Sequence, residues 1–369
     1  MIGRSWCEID LDVIKGNCRQ IAQGLYSHQE IMAVVKANAY GHGDIEVSEA
    51  LNKIGINSFA VSNIDEAIRI RKAKIDGQIL VLGYTPISRF DDLIYYNIEQ
   101  AVISNEYAQA IIDSDKKIAV HVAIDTGMRR VGIDGCDLKN CMQLILKLSN
   151  NALIQGLFTH LSDSDSGDTA FTEGQICQFE RVVTLIKERV KIEDIHYANS
   201  CGTKFFNKPF ANKVRVGLGL YHNLKGSNQK TALTWKSVVT MVKWVEKGEP
   251  IGYGRSYFTT RKTKIATVST GYADGYDRRF GNLGEVIIKG KRVKVIGKVC
   301  MDQFMVDVTE VGGVAMGDEV ILLGEGNNLD FASSLIGTIP YELLTSISSR
   351  VPRIYNNKEN QKVLSQMRS

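Results

Sequence analysis

Lys36 closes the run Ala33-Val34-Val35, and a strand buried in a parallel sheet does not carry a lysine for packing. An amine held in a poorly solvated mouth loses affinity for its proton, and a neutral lysine can condense with a carbonyl to form a Schiff base. On exposure statistics alone, a lone lysine at a barrel end more often snorkels to water. The continuation Ala37-Asn38-Ala39-Tyr40-Gly41-His42-Gly43 shifts that balance. Two glycines flanking a histidine make a tight loop that can approach a flat anionic ligand, with Tyr40 close behind the amine. Four later runs end apolar stretches in polar groups: Asp125-Thr126-Gly127-Met128-Arg129-Arg130, Phe158-Thr159-His160, Ala198-Asn199-Ser200 and Val214-Arg215-Val216-Gly217-Leu218.

These groups need a frame that brings distant segments together. Short apolar, β-rich runs alternate with helical spacing up to about residue 220: 31–36, 58–61, 79–82, 101–103, 118–124, 154–159, 195–198 and 213–217. Segments 63–73 and 171–189 between them carry helical periodicity. Strands apolar on both faces, each followed by a helix, predict a parallel sheet covered by helices, and eight such units fit a closed (β/α)8 TIM-like barrel. The active site is then expected at the C-terminal ends of the strands, where Lys36 falls.

After residue 230 the pattern becomes alternating stretches with glycine turns, at 233–245, 264–270, 285–296, 303–308 and 319–323, with no helix expected until 341–346. This predicts a C-terminal antiparallel β domain. The domain assignment is 1–228 for the barrel and 229–369 for the β domain, with residues 1–10 open to pairing with the latter.

At 369 residues, 44% hydrophobic and 23% charged, the chain has a globular composition large enough for two cores. Its net charge of +4 is interspersed, which gives no reason to expect nucleic acid. No apolar stretch reaches the roughly 20 residues that span a bilayer. The expectation is therefore a cytoplasmic chain without membrane contact of its own. Seven scattered cysteines with no CxxC pair suit a reducing compartment and indicate neither disulfide nor metal site.

The lysine string closely resembles the signature of alanine racemases, in which that lysine carries pyridoxal phosphate. The likeness continues through Arg4-Ser5-Trp6-Cys7-Glu8-Ile9-Asp10-Leu11, the four runs above, Ile251-Gly252-Tyr253-Gly254, Gly271-Tyr272-Ala273-Asp274-Gly275, Cys300-Met301-Asp302-Gln303 and Arg350-Val351-Pro352-Arg353. It covers the chain almost end to end and implies a homodimeric racemase with shared active sites.

The resemblance assigns roles. Lys36 would be the cofactor lysine and the first base, and Tyr253, reaching the partner subunit's site, the second base. His160 would partner that tyrosine, and Arg215 would face the cofactor's pyridine nitrogen, favouring racemisation over transamination. Tyr40, Ser200, Gly217 and Leu218 would hold the phosphate, with Asn199 beside them. Arg130 and the backbone at Met301 would bind the substrate carboxylate, Arg130 also touching the cofactor, while Tyr272, Arg278 and Asp165 would line the entrance channel.

Two positions depart from the family pattern. Where many alanine racemases carry a carbamylated lysine two residues before Asp-Thr-Gly, this chain has Ala123, so Arg130 is expected to be held by a nearby carboxylate, a bound anion or water. Where the family usually has tyrosine before Arg350, it has Ser349, which would contact both cofactor and substrate. The missing ring leaves room and polarity for a hydroxyl, so serine is expected as substrate with or ahead of alanine. This resembles the vancomycin-resistance serine racemases, whose catalytic domain follows a membrane region and supplies D-serine for peptidoglycan precursors; the chain would be the cytoplasmic catalytic part. The alternatives are an ordinary alanine racemase, a pyridoxal-phosphate decarboxylase of the same layout, and a non-enzymatic cofactor carrier or sensor. Arg215, Tyr253 and Met301 argue against the decarboxylase. The second domain with its second base argues against the carrier.

Overall fold

The computed structural model describes residues 3–165, 169–224 and 226–356. Its strands, in chain order, are β1 (Ser5–Asp10), β2 (Glu30–Val34), β3 (Ser58–Val61), β4 (Gln78–Val81), β5 (Glu99–Val102), β6 (Ala119–Asp125), β7 (Ile133–Asp134), β8 (Leu153–Phe158), β9 (Asp194–His196), β10 (Lys213–Val216), β11 (Leu233–Val245), β12 (Pro250–Ile251), β13 (Tyr257–Phe258), β14 (Thr263–Val268), β15 (Glu285–Ile288), β16 (Lys291–Ile296), β17 (Phe304–Asp307), β18 (Glu319–Leu323) and β19 (Arg353–Asn356). They fall into two compact units. Among the described residues, one comprises those within 14–39 and 44–229, the other 3–13, 40–43 and 230–356.

The first unit is a closed parallel barrel. Its strands run β5-β4-β3-β2-β10-β9-β8-β6, β6 returns to pair with β5, and the short β7 pairs in parallel with the end of β6. The eight apolar runs of the sequence are the eight barrel strands, because each must bury both faces between the barrel interior and the covering helices. Helix Ile64–Lys72 shows how the cover is made. Asn63 caps its first turn by accepting from the Glu66 N–H, and Ile64, Ala67, Ile68 and Ile70 form its buried face.

The second unit is antiparallel and built around the 13-residue strand β11. Residues 235–238 of β11 pair with β18 and residues 239–245 with β14, the latter pairing shifting register between Val239 and Met241, so β14-β17-β16-β15-β18-β11 close on themselves. β1 pairs antiparallel with β11 and parallel with β19.

Three local expectations are corrected. The run 285–296 is a hairpin, β15 and β16, turned at Lys289 and Gly290, both with positive φ, a conformation alternation alone does not announce. A helix at Leu329–Leu335, capped by Asn328, precedes the expected one at Pro340–Ser346. Lys36 is not the last strand residue: β2 stops at Val34, Val35 donates its N–H to the Ala60 carbonyl, and the chain then winds into a left-handed turn. Among the described residues no helix is long and apolar enough to cross a membrane.

Candidate active site

Immediately after Lys36, four consecutive non-glycine residues, Ala37, Asn38, Ala39 and Tyr40, have φ of 53°, 56°, 51° and 53°. L-residues visit this region singly and at a cost of about 1–2 kcal/mol each, so a whole turn of them is held by its surroundings. Glu66 accepts from the Ala37 N–H (2.8 Å) and the Ser62 N–H (2.8 Å), and Asn38 accepts from the Asp44 N–H (3.1 Å). Gly41, at φ +81°, must be glycine, because a Cβ there would lie 2.4 Å from the Leu344 carbonyl oxygen.

Within the barrel unit Lys36, Arg130, His160 and Arg215 share one electrostatic environment. The Lys36 amine is held below its usual pKa by burial and then by Arg130 and Arg215, against a single opposing carboxylate, Glu66. His160 is pushed down to about 3 by burial, then by Arg215, Arg130 and Lys36, and is therefore neutral. Arg215, only 4% exposed, is lowered to about 9 by burial and by Arg130, and stays cationic at neutral pH.

Arg215 is fixed on every side. Nη1 donates to His196 Nδ1 (2.7 Å) and the His196 carbonyl (3.1 Å). Nη2 donates to the Thr159 carbonyl (2.8 Å) and His160 Nδ1 (2.9 Å), and the guanidinium lies over the Phe158 ring. Of the five guanidinium N–H groups, four are thus spent. The remaining donor among the described residues is Nε–H. Because arginine can only donate, His160 accepts at Nδ1 and carries its proton on Nε2.

Ser200 opens a short helix after β9, and its Oγ accepts from the N–H groups of Gly217 (3.0 Å) and Gly219 (3.2 Å), at the start of the helical turn that follows β10. With two donors received, the hydroxyl proton is free to point at an anion. Leu218 follows as the first residue of the next helical turn. Asn199 has a structural duty that the sequence did not assign: its Oδ1 caps this helix by accepting from the Gly202 N–H (2.8 Å) and also accepts from Ser164 Oγ (2.8 Å). Ala123 sits in an apolar cluster with Ala101 and Phe158. The carboxylate expected to hold Arg130 is not found: among the described residues no hydrogen bond or ion pair holds the exposed Arg130, and the anion or water remains. Asp165 lies exposed in the bend after β8.

The second unit carries the remaining candidates. Tyr253 is 71% exposed on a one-turn helix, Tyr253–Arg255, between β12 and β13. Tyr40 is buried against Tyr341, 5.9 Å between centroids. Met301, Tyr272 and Ser349 are exposed, on loops tied to one hub. Asp274 Oδ1 receives Arg4 Nη2 (2.7 Å) and Arg350 Nε (3.0 Å), while Arg350 Nη2 also reaches Asp302 (2.6 Å). Tyr272 donates its N–H to the Cys300 carbonyl and Ala273 to that of Met301, both 3.0 Å. Arg278 is exposed on the next short helical turn. Glu66, Thr159, His196 and the Asp274 hub were missed in the sequence, although Asn63 three residues before Glu66 was a legible helix-start signal.

The chain matches the family models for the alanine racemase N-terminal domain over residues 9–224 and the alanine racemase C-terminal domain over residues 232–355. It is 43% identical to an alanine racemase of Clostridium perfringens over 97% of this chain and 97% of that one. Among solved structures it is similar to alanine racemase of Clostridium difficile 630, at TM-score 0.91 and 36% identity over 97% of each chain. It is also similar to alanine racemase from Bartonella henselae with covalently bound pyridoxal phosphate, at TM-score 0.88 and 29% identity over 96% of this chain and 100% of that one.

Proposed function

This chain belongs to the alanine racemase family, and on that premise we propose that it is a pyridoxal-phosphate-dependent isomerase interconverting the L and D forms of alanine and of serine. The observation that carries the reading is the grouping of Lys36, Arg130 and Arg215 around a neutral His160 with only Glu66 against them. Like charges gathered at one site repel unless an anion joins them, most strongly where one of them, here Arg215, is buried. Pyridoxal phosphate brings a phosphate and an acidic ring hydroxyl, so its charge fits this donor set, and its aldehyde fits an amine whose pKa is depressed.

Lys36 would hold the cofactor covalently, the Ser200 hydroxyl and the N–H of Leu218 would face its phosphate, and Tyr40 is the further phosphate donor. When bound, the cofactor supplies the electron withdrawal that acidifies the substrate's Cα–H. Arg215 would offer its remaining Nε–H to the ring nitrogen. As a donor and a cation it would leave that nitrogen unprotonated and so keep the cofactor's electron withdrawal modest, which would favour racemisation over transamination.

Racemisation requires a base on each face of Cα. Lys36 serves one face. Tyr253, exposed on its turn, serves the other from a second copy of the chain, which makes a homodimer with shared sites part of the proposal. His160, protonated on Nε2, donates toward that phenol and steadies its deprotonated form. Arg130 and the N–H of Met301, whose carbonyl is taken by Ala273, bind the substrate carboxylate. Tyr272, Arg278 and Asp165 are assigned to the entrance.

Alanine follows from the family; serine rests on Ser349, a small polar residue in an exposed turn where the resemblance leads one to expect a tyrosine. The D-amino acid formed would feed peptidoglycan precursors. The test is incubation of the cofactor-loaded protein with L-alanine or L-serine in deuterated water. Loss of the Cα proton together with appearance of the D enantiomer supports the reading; exchange without inversion, or neither, refutes it.

A further inference from the structure

TIM-barrel interiors are ordinarily filled by layers of branched apolar side chains. Here the interior holds Gln78, Glu99, His121, Asp194, His196, Lys213 and Arg215. Two of its charges pair directly: Lys213 Nζ lies 2.8 Å from Asp194 Oδ2. Arg215 and Glu99 are left over. Among the described residues no carboxylate forms an ion pair with Arg215, and no lysine or arginine nitrogen lies within ion-pair distance of Glu99. Arg71 is near enough to feel Glu99, but its donors go to the carbonyls of Ile75, Gly77, Tyr96 and Asn97.

Two imidazoles join the unmatched charges. Arg215 Nη1 meets His196 Nδ1 at 2.7 Å, His196 Nε2 meets His121 Nδ1 at 2.8 Å, and His121 Nε2 meets Glu99 Oε2 at 2.8 Å. Each ring has both nitrogens engaged, so a flip of either would forfeit two bonds. The proton positions follow from the ends. Arginine donates, so His196 Nδ1 accepts and its proton sits on Nε2. His121 Nδ1 therefore accepts, and its own proton sits on Nε2, facing the carboxylate. The Gln78 amide, 3.4 Å from His121 Nε2, does not compete, because its two hydrogens go to Glu99 (2.7 Å) and Asp194 (2.7 Å).

The barrel wall is shaped for this chain of contacts. Gly156 on β8 stands where a Cβ would lie 2.3 Å from His121 Nδ1, and the Phe158 ring stacks on His196 with an interplanar angle of 3°.

We propose that Glu99 is the remote counter-charge of Arg215, holding the guanidinium in place through two neutral imidazoles of fixed tautomer and acting as a positioning residue for the cofactor-facing Nε–H. The chain of contacts stands on geometry alone; its purpose rests on the function proposed above.

The experiment is NMR of the cofactor-loaded protein with 15N-labelled histidine, the rings identified with His121→Asn and His196→Asn variants. Expected are two neutral rings, each with a pyrrole-type Nε2 and a pyridine-type Nδ1, and downfield Nε2–H protons. An imidazolium or an Nδ1–H tautomer at either ring overturns the proposal, and this reading is taken from the wild-type protein, the variants serving only to assign the rings. Glu99→Gln keeps an acceptor oxygen but removes the charge. It should move both N–H protons upfield and lower kcat for alanine about tenfold with KM changed less than about twofold, the scale seen when outer partners of a functional group are removed. Unmoved protons, or an unchanged kcat, overturn the proposal. A protein with the expected rings that racemises nothing would overturn the proposed function and leave the contact chain standing. A racemase with different rings would overturn only the relay.

Discussion

Ala37→Gly should make the protein more stable, which is the reverse of the usual effect of an alanine-to-glycine change. Ala37 is exposed at φ 53° and ψ 48°, and its side chain is not needed for the hydrogen bond its N–H donates to Glu66 (2.8 Å). A non-glycine residue in the left-handed helical region costs about 1–2 kcal/mol. Glycine removes that cost but returns about 0.4–1 kcal/mol through the greater freedom of the unfolded chain. The difference of the central values is a net gain of about 0.8 kcal/mol. The assay is thermal and denaturant unfolding of wild type and variant at equal cofactor loading, because bound cofactor itself shifts the transition. Ala37→Val, with a branched Cβ in the same region, should lower the midpoint. A glycine variant less stable than wild type, or a valine variant equal to it, would refute the claim that this turn stores strain beside Lys36.

Ser200→Ala removes the common acceptor of the Gly217 and Gly219 N–H groups and the hydroxyl assigned to the phosphate, so cofactor affinity should fall at least tenfold by equilibrium titration while the fold persists by circular dichroism. Ser349→Tyr should cut kcat/KM for serine relative to alanine by about tenfold or more, and an unchanged ratio would remove the basis for serine. His160 is held near 3 and His196 well below its ordinary value of 6.5, both chiefly by burial, so both are neutral in the folded barrel and take up protons on unfolding in acid. Their effect on stability is absent above about pH 6.5 and destabilising as pH falls from there toward 3. The unfolding free energy of wild type relative to His160→Asn should therefore drop across that window, and a rise would contradict the neutral assignment.

The eight barrel strands were legible because a strand buried on both faces is written as an unbroken apolar run, and the β domain because its alternation has period two. The same logic hid the barrel's polar interior. Gln78, Glu99 and Asp194 lie at the leading edges of β4, β5 and β9, one or two residues before the apolar runs that marked those strands. His121 was the visible anomaly, a histidine inside Ala119–Asp125, but one sequence does not reveal that His196 faces it from another strand. The left-handed turn at Ala37–Tyr40 was barely legible, since Gly41, Gly43 and more weakly Asn38 advertise positive φ while Ala37, Ala39 and Tyr40 are ordinary helix or sheet formers. The site was legible mainly through resemblance. What the structure adds is why each group is held as it is, from the four spent donors of Arg215 to the capping duty of Asn199.

The most direct measurement is borohydride reduction of the protein incubated with pyridoxal phosphate, followed by peptide mass mapping. The expected result is loss of the visible absorbance band and one modified peptide, with the reduced cofactor attached at Lys36. An unmodified protein, or modification centred on another lysine such as the barrel's Lys213, already paired with Asp194, would contradict it.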